Sequence, residues 1–361
     1  MTPPITLVGA GPVGLLLACL LGQRGLDVRL YEKRRGLPAA SMAIGITPPS
    51  LDILDRLDLK SEFLRRGVRI SRVHVHEDRK YCGTLDFRAA ENEILSLPQY
   101  GTLELLRRRL ADFPNVDFRE GVARHPEQTA DTPGRIIACD GAKSPLRQWL
   151  GIPAARKTYP VTFVMADFPD PEDPAPEGRL FFSPRGAVES FPLPNRRRRW
   201  IAQCADGAPA ELETLLRRVR DAAGVDLHAD APGSVYPFTP RRLLCKSYHA
   251  GNVILCGDAA HTMSPIGGQG MNTGFADAWH LSRILPDPSP ADLAAYTRAR
   301  RRAFRTASRR AAAGMWLGTR TGSAAARLRR QLLSAALRQP AAHRTLALTF
   351  AMRNLPDPEF P

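Results

Sequence analysis

A chain of 361 residues, 43% hydrophobic and 24% charged, can bury a large core as one α/β unit or two joined domains, so it is no small stapled module. Its six cysteines are scattered without a CxxC pair, which excludes a zinc or disulfide framework and suits a reducing compartment. The formal charge of +15 is almost all arginine, concentrated at 196–199 and 298–344; it is expected on solvated helix faces, with an anionic surface as the alternative, and the absence of any nucleic-acid-binding pattern excludes DNA and RNA as partners.

Residues 5–9 are apolar and β-branched, 13–23 read as a helix and 28–32 as a second strand, half of a dinucleotide-binding βαβ unit. The longest apolar run, 13–21, belongs to that helix. It is too short to span a membrane, and no charged leader precedes it, which reads against secretion. Between strand and helix stands Gly9-Ala10-Gly11-Pro12-Val13-Gly14, a GxGxxG whose chemistry is main-chain chemistry. The first glycine permits a tight turn, the second lets N–H groups approach a pyrophosphate, and the third lets helix and strand pack closely. Alone the pattern is weak. Glu32 gives it context, because a carboxylate ending the second strand accepts hydrogen bonds from both ribose hydroxyls of an adenosine and disfavours a 2′-phosphate. The expected dinucleotide is therefore FAD or NAD, with Lys33 and Arg34 beside its adenosine end.

A helix is expected at about 49–57, strands around Val73 and Val75 and around Leu85 and Phe87, a helix at 103–113 and a strand at 116–119. His74 and His76 alternate on one strand, but no third ligand stands at a convincing spacing, so they read as structural. The apolar strand 135–139 leads into Asp140-Gly141-Ala142-Lys143-Ser144-Pro145-Leu146-Arg147, where Asp140 and Arg147 either cap a helix start or serve a ligand. From 161 to 204 the chain turns to β character, then returns at 252–256 to a buried strand, so the second domain is an insertion. That strand ends in Gly257-Asp258-Ala259-Ala260-His261, followed by Pro265 and Gly267-Gly268-Gln269-Gly270-Met271-Asn272. These glycines let backbone approach a flat ring, and the helix expected at 271–285 aims its positive N-terminal end there. His261 is expected to order the loop, and Met271 to pack.

These three motifs, in this order, resemble the class A flavoprotein monooxygenases related to para-hydroxybenzoate hydroxylase, over positions 9 to 274. The resemblance implies an α/β fold: a Rossmann-like FAD-binding domain of the GR2 type with an inserted β-sheet substrate domain and C-terminal helices. The expected division is 1–70, 100–155 and 245–290 for FAD, 71–99 and 156–244 for substrate, and 291–361 for the C-terminal helical segment. It implies FAD as cofactor, held by Gly9, Gly11, Pro12, Val13, Gly14, Glu32, Lys33, Arg34, Thr102, Asp140, Gly141, Arg147, Gly257, Asp258, Pro265, Gly268, Gly270, Met271 and Asn272. Asp258 would bond the ribityl hydroxyls. With a single GxGxxG, NADH or NADPH would act as a transient reductant.

The implied activity is O2-dependent hydroxylation of an aromatic or polyketide-like small molecule through a flavin C4a-hydroperoxide, in the cytoplasm, with the basic C-terminal helices open to a peripheral contact at the inner face of the membrane. The substrate would lie under the inserted sheet, where Phe181, Phe191, Trp200, Tyr236 and Phe238 are either wall or core. No catalytic acid or base stands out, and the oligomeric state is left open. Two departures are visible: Thr102 stands where relatives place Arg or Gln, and 121–135 is too short for a small β-meander. The residues after Asn272 read as helices, with no thioredoxin-like domain expected. Two other readings stay open, an FAD-dependent dehydrogenase or reductase of a lipid or polyene, and a redox-silent FAD-binding scaffold at a membrane or partner; a halogenase is disfavoured because the four tryptophans form no WxWxIP.

Overall fold

The computed structural model describes residues 3–38, 42–88, 92–130, 132–170, 176–205, 207–228, 232–264 and 268–355. Its first layer is a six-stranded sheet in the order 249–250, 253–255, 136–138, 5–8, 28–32, 116–120, parallel except at the His249–Ala250 edge. Every residue of Ile5–Val8, Ile136–Ala138 and Val253–Leu255 is buried, as strands covered on both faces require. The helix Pro12–Gln23 packs on this sheet and against the helix Gln269–Ile284.

The pairing order has a direct consequence for the three motifs. Each leaves the carboxyl end of one of three neighbouring parallel strands, and Glu32 ends the next. Ladder bonds run right up to the turns: the Gly9 N–H donates to the Tyr31 carbonyl, Cys139 N–H to Val8 and Cys256 N–H to Ala138. The three motifs thereby stand in reverse chain order in space, Asp258, Asp140 and then the Gly9–Gly14 turn, with Glu32 beyond the last, across a span of about 15 Å.

The second layer is a seven-stranded sheet ordered 236–238, 163–169, 197–203, 186–193, 177–183, 72–77, 80–86, antiparallel except between 177–183 and 72–77. The helix Leu212–Ala223 covers one face, its Leu215 and Val219 packing with Val188, Trp200 and Ala202; Gly224, at φ +71°, ends it in the left-handed conformation glycine tolerates. The opposite face takes the C-terminal helices: Met315 of Pro290–Thr319 joins Phe163, and Leu337, Leu346 and Phe350 of the next two helices join Phe191 and Leu180. A buried ion pair fixes this docking, with Arg329 donating to both oxygens of Glu77 and to the carbonyls of Leu317, Arg320 and Ser183.

Part of the basic excess is thus internal. Arg198, Arg199, Arg300 and Arg329 are each no more than 2% exposed and pair with Asp170, Asp167, Asp277 and Glu77, which corrects the expectation of solvated faces at these positions. The segment 121–135 carries a short helix, Pro126–Ala130. The helix expected at 103–113 runs instead over Gln99–Leu110, because Pro98 fits the position just before a first turn. The six cysteines are unpaired, and all but Cys139 are buried.

Candidate functional site

The glycines of the crevice divide by what a Cβ would meet. At Gly9 (φ +102°) it would lie 2.4 Å from the Cys139 carbonyl oxygen, at Gly14 2.0 Å from the Gly9 carbonyl oxygen, and at Gly274 2.6 Å from Val13 Cγ2. These glycines let protein touch protein. At Gly11, Gly141 and Gly270 a Cβ would meet nothing within 4 Å, so at these positions the missing side chain leaves space for something else. Val13 is wedged between Gly257 and Gly274, locking the first motif to the third. Gly11 caps the helix Pro12–Gln23, and Gly268, at φ +63°, caps Gln269–Ile284; neither supplies a side chain to the first-turn N–H groups, which is how helix ends stay available to an anion or a polarised ring.

The acids differ in how far the protein satisfies them. Glu32 Oε2 accepts from the Ala10 N–H at 2.9 Å and Oε1 from the Arg34 N–H at 3.0 Å, so its first task is to close the glycine turn; Lys33 and Arg34 are exposed. Asp140 Oδ2 accepts from the Leu146 N–H at 3.3 Å, whereas its Oδ1 is buried without a partner among the described residues. Burial pushes its carboxyl up. Asp258 is open to the crevice and makes no hydrogen bond or ion pair among the described residues; the surrounding protein pushes its carboxyl up, against the pull of His261. Two acceptors short of donors, beside three glycines facing open space, fit a polyhydroxylated dinucleotide.

Other predicted residues act on the protein itself. Arg147 is 2% exposed and donates to the Ala259 and Ala142 carbonyls, both at 2.9 Å, tying the second motif to the third. Asn272 accepts from the Thr47 N–H at 3.0 Å and donates to the Gly45 and Gly268 carbonyls, holding the strand Gly45–Ile46 against the glycine loop. Met271 packs on the main core. Thr102 is buried in the helix Gln99–Leu110, its hydroxyl unpartnered among the described residues. Pro265 and Gly267 lie outside the described residues.

Sequence reasoning missed Asp277 and Arg300. Asp277 is fully buried, accepts from Arg300 Nε and from the Gly257 N–H, and meets His261 Nε2 at 2.6 Å. Burial opposes its ionisation, but His261 and Arg300 overcome it and hold the carboxyl at about 2. Through Gly257 this cluster sets the turn that presents Asp258. Its one sequence signal is an acid inside the apolar stretch Phe275-Ala276-Asp277-Ala278. His261 is 1% exposed, bonded to Asp277 and set against the Phe304 ring.

Across the inserted sheet, strand alternation sorts the aromatic candidates. Phe181 and Trp200 face the helix Leu212–Ala223 and stack at 6.2 Å, with His76 on the far side of Phe181 at 5.0 Å; they are core, not wall. Phe191 and Phe238 lie on the opposite face, Phe238 stacked on Phe163 at 5.4 Å, and Tyr236 pairs in register with Met165. His74 is held between Thr84 and Glu177, and among the described residues no group of three or more His, Cys, Asp or Glu could hold a metal.

Comparison with known proteins gives this geometry a family. A 3-(3-hydroxy-phenyl)propionate/3-hydroxycinnamic acid hydroxylase of Burkholderia vietnamiensis is 28% identical over 335 residues, covering 82% of this chain and 60% of the relative. A 6-methylpretetramide 4-monooxygenase of Streptomyces rimosus is 28% identical over 317 residues, covering 79% and 56%. The chain therefore spans somewhat over half the length of these curated relatives. Among solved structures, a p-nitrophenol 4-monooxygenase from Pseudomonas putida superposes with a TM-score of 0.85 at 22% identity, over 98% of this chain and 99% of that one, which shows a shared fold. The model of the FAD binding domain matches residues 2–311, and the chain belongs to that family.

Proposed function

We propose that this protein is an FAD-dependent monooxygenase that uses NAD(P)H and O2 to hydroxylate an aromatic or polyketide-like small molecule. The observation that carries this reading is a juxtaposition. The glycine loop and the N-terminus of Gln269–Ile284 are tied through Asn272 and Gly45 to the loop at Met42, whose carbonyl accepts from Arg199 on the inner face of the inserted sheet. A flat redox group on that helix end would lie beside an apolar wall, the arrangement needed to keep water from a reactive oxygen species. The names of the relatives, which act on hydroxylated phenylpropanoids and a pretetramide, support the same substrate class.

In this reading Gly11 and the helix end behind it receive the pyrophosphate, Glu32 the adenosine ribose, and Asp258, with Asp140 beside it, the flavin-side hydroxyls. Bound FAD, reduced by NAD(P)H, supplies the oxygen-activating chemistry. The chain's own part is placement: Gly268 and Gly270 give close approach, and the positive end of Gln269–Ile284 stabilises negative charge on the ring. Arg147, Asn272 and the Asp277–Arg300 pair keep the three loops in register. The test is a flavin spectrum of the purified protein, then NAD(P)H oxidation across a panel of phenols and polyketides under isotopically heavy O2. Label in the product is expected. A colourless protein that cannot be reconstituted with FAD sinks the reading, and a reduced product without added oxygen favours the reductase.

We also infer a peripheral contact of the long helix with an anionic membrane surface. Arg298, Arg301, Arg302, Arg305 and Arg309 line a surface cavity of about 390 Å3, and none pairs with a carboxylate among the described residues. No helix among them is long and apolar enough to cross a membrane. Co-sedimentation with phosphatidylglycerol vesicles but not phosphatidylcholine vesicles, weakening as salt rises, is the expected result; equal binding to both, or none, removes the inference.

A further inference from the structure

One carboxyl group of the inserted sheet has no structural employment. Glu189 lies midway along the strand Gly186–Leu193, in register with Leu180 on one side and Ile201 on the other. Leu180 belongs to the cluster containing Leu346 and Phe350, and Ile201 to the cluster containing Met315 and Phe163. Along its own strand the same-face neighbours are Ala187 and Phe191. Glu189 therefore occupies the seam between two apolar clusters, under the C-terminal helices.

Its carboxylate makes no hydrogen bond or ion pair among the described residues. Arg199, diagonal to it on the next strand, is committed: it donates to both oxygens of Asp167 at 2.6 and 2.9 Å and to the Met42 carbonyl at 3.0 Å. Gln203, the other diagonal neighbour, accepts from the Ala187 N–H and donates to the Thr319 carbonyl. Tyr236 lies two strands beyond Ile201, across Met165. The residues that the two helices bring to these clusters, Met315, Leu346 and Phe350, carry no charge.

Leu180, Glu189, Phe191 and Ile201 all keep partial accessibility, although helices cover this face, whereas Val188, Trp200 and Ala202 on the other face are at most 3% exposed. The four thus lie on the more loosely covered face of the sheet. Burial alone, with no charged neighbour contributing, pushes the Glu189 carboxyl up to about 7. A lone acid in an apolar wall destabilises the fold, and such a cost persists where a ligand makes use of it.

We propose that Glu189 is the specificity-determining residue of the substrate chamber: it accepts a hydrogen bond from a neutral hydroxyl of an aromatic or polyketide substrate and rejects substrates that carry a carboxylate. The proposal rests on the proposed function, in which the flavin lies beside the inner face of the inserted sheet. The charge logic is one-sided among the described residues, since the two arginines that this face carries on the neighbouring strand are both engaged, Arg199 by the Asp167 carboxylate and Arg197 by the Asp167 carbonyl, while a phenolic or enolic O–H is a good donor to a carboxylate and leaves the rest of the ring to apolar contact.

Two measurements on the FAD-loaded protein test it. The first needs no knowledge of the substrate. Because the folded-state pKa lies above the unfolded one, ionised Glu189 lowers stability above about pH 5; E189Q should therefore melt higher than wild type at pH 8, with the gain fading towards pH 5. A lower melting temperature for E189Q at pH 8 would reveal a structural partner and overturn the proposal. The second is ligand binding, followed by flavin absorbance, with pairs that differ only in a carboxylate, such as 4-ethylphenol against 3-(4-hydroxyphenyl)propionate and 2-naphthol against 6-hydroxy-2-naphthoate. Wild type should prefer the neutral member by about tenfold or more, and E189Q should shrink that preference about tenfold. A wild-type preference for the carboxylated members, a ratio unmoved in E189Q, or binding of none of the four overturns it. Failure of the monooxygenase reading looks different: the selectivity and its loss in E189Q persist, but no bound aromatic yields an oxygenated product.

Discussion

Under the proposed function, the parallel-sheet crevice and the inner face of the inserted sheet prepare for their ligands by different means. In the crevice the working groups are main-chain N–H groups, missing side chains and a few acids at strand ends, all fixed by buried ties such as Arg147, Asn272 and Asp277. On the inserted sheet the working groups are side chains, and which of them matter depends on the parity of a residue along its strand. Phe181 and Trp200 fall on the core face, and Phe191 and Glu189 on the other. A cofactor of fixed shape suits a site made of backbone, whereas a sheet face leaves substrate choice to single side chains.

The sharpest way to break this contrast is to attack what holds the crevice from behind. Asp277→Asn leaves Arg300 buried beside a neutral group, and removing one partner of a buried pair costs about 3 to 5 kcal/mol. Urea titration should show that loss in apoprotein and holoprotein alike; a loss confined to the holoprotein would mean that the cluster serves the cofactor directly. Acid sharpens the point. The Asp277 carboxyl titrates at about 2, below its unfolded value, so its contribution of roughly 2 kcal/mol is present above pH 4 and disappears as pH falls towards 2. Asp277→Asn should flatten the wild-type stability profile in that window.

Next in size is a comparison within the glycines. Gly14→Ala drives a methyl to 2.0 Å from the Gly9 carbonyl oxygen, backbone against backbone, and should destabilise the apoprotein by about 3 kcal/mol. Gly11→Ala and Gly270→Ala place their methyls in open space and should leave the apoprotein within about 1 kcal/mol of wild type while reducing FAD retention on gel filtration. Equal melting losses in the three variants would dissolve the distinction between packing glycines and ligand glycines.

A third pair contrasts the two faces of the inserted sheet. Phe181→Ala empties a core site and should cost about 3 kcal/mol with KM for the eventual substrate unchanged, whereas Phe191→Ala should alter KM with the smaller loss of stability expected of a half-buried ring. If Phe181→Ala moves KM and Phe191→Ala does not, the faces have been assigned the wrong way round.

The same contrast explains what was legible in the sequence. Gly9, Gly11, Gly14, Asp140 and Asp258 stand out because a turn that contacts a ligand through its backbone demands particular residue types at fixed local spacing. Asp277 and Arg300 are 23 positions apart and meet only because two helices cross, so neither carries a local pattern beyond an acid in an apolar helix. Glu189 was unreadable for another reason: alternation tells that successive residues face opposite ways, but not which way is inward until the covering helix Leu212–Ala223 takes one face. The buried arginines belong to the same class, since Arg198 and Arg199 are adjacent and point to opposite sides of one strand. Chain order also hid spatial order, because the motif nearest the N-terminus lies between Glu32 and the other two.

The smallest expected effect returns to the acid with the least protein support. Asp258 has no donor among the described residues, and its surroundings disfavour its charge. Open to the crevice and without a donor, the carboxylate holds nothing in the apoprotein together, so Asp258→Asn should melt no lower than wild type without FAD. In the holoprotein the sign reverses, because a hydroxyl donating to a carboxylate makes a stronger bond than one donating to an amide oxygen, and FAD affinity should fall by roughly tenfold. Measuring both on one preparation separates a ligand-facing acid from a structural one such as Asp277, whose removal lowers the apoprotein's stability first. An Asp258→Asn apoprotein that melts well below wild type would place Asp258 among the ties and leave the crevice without its flavin-side acceptor.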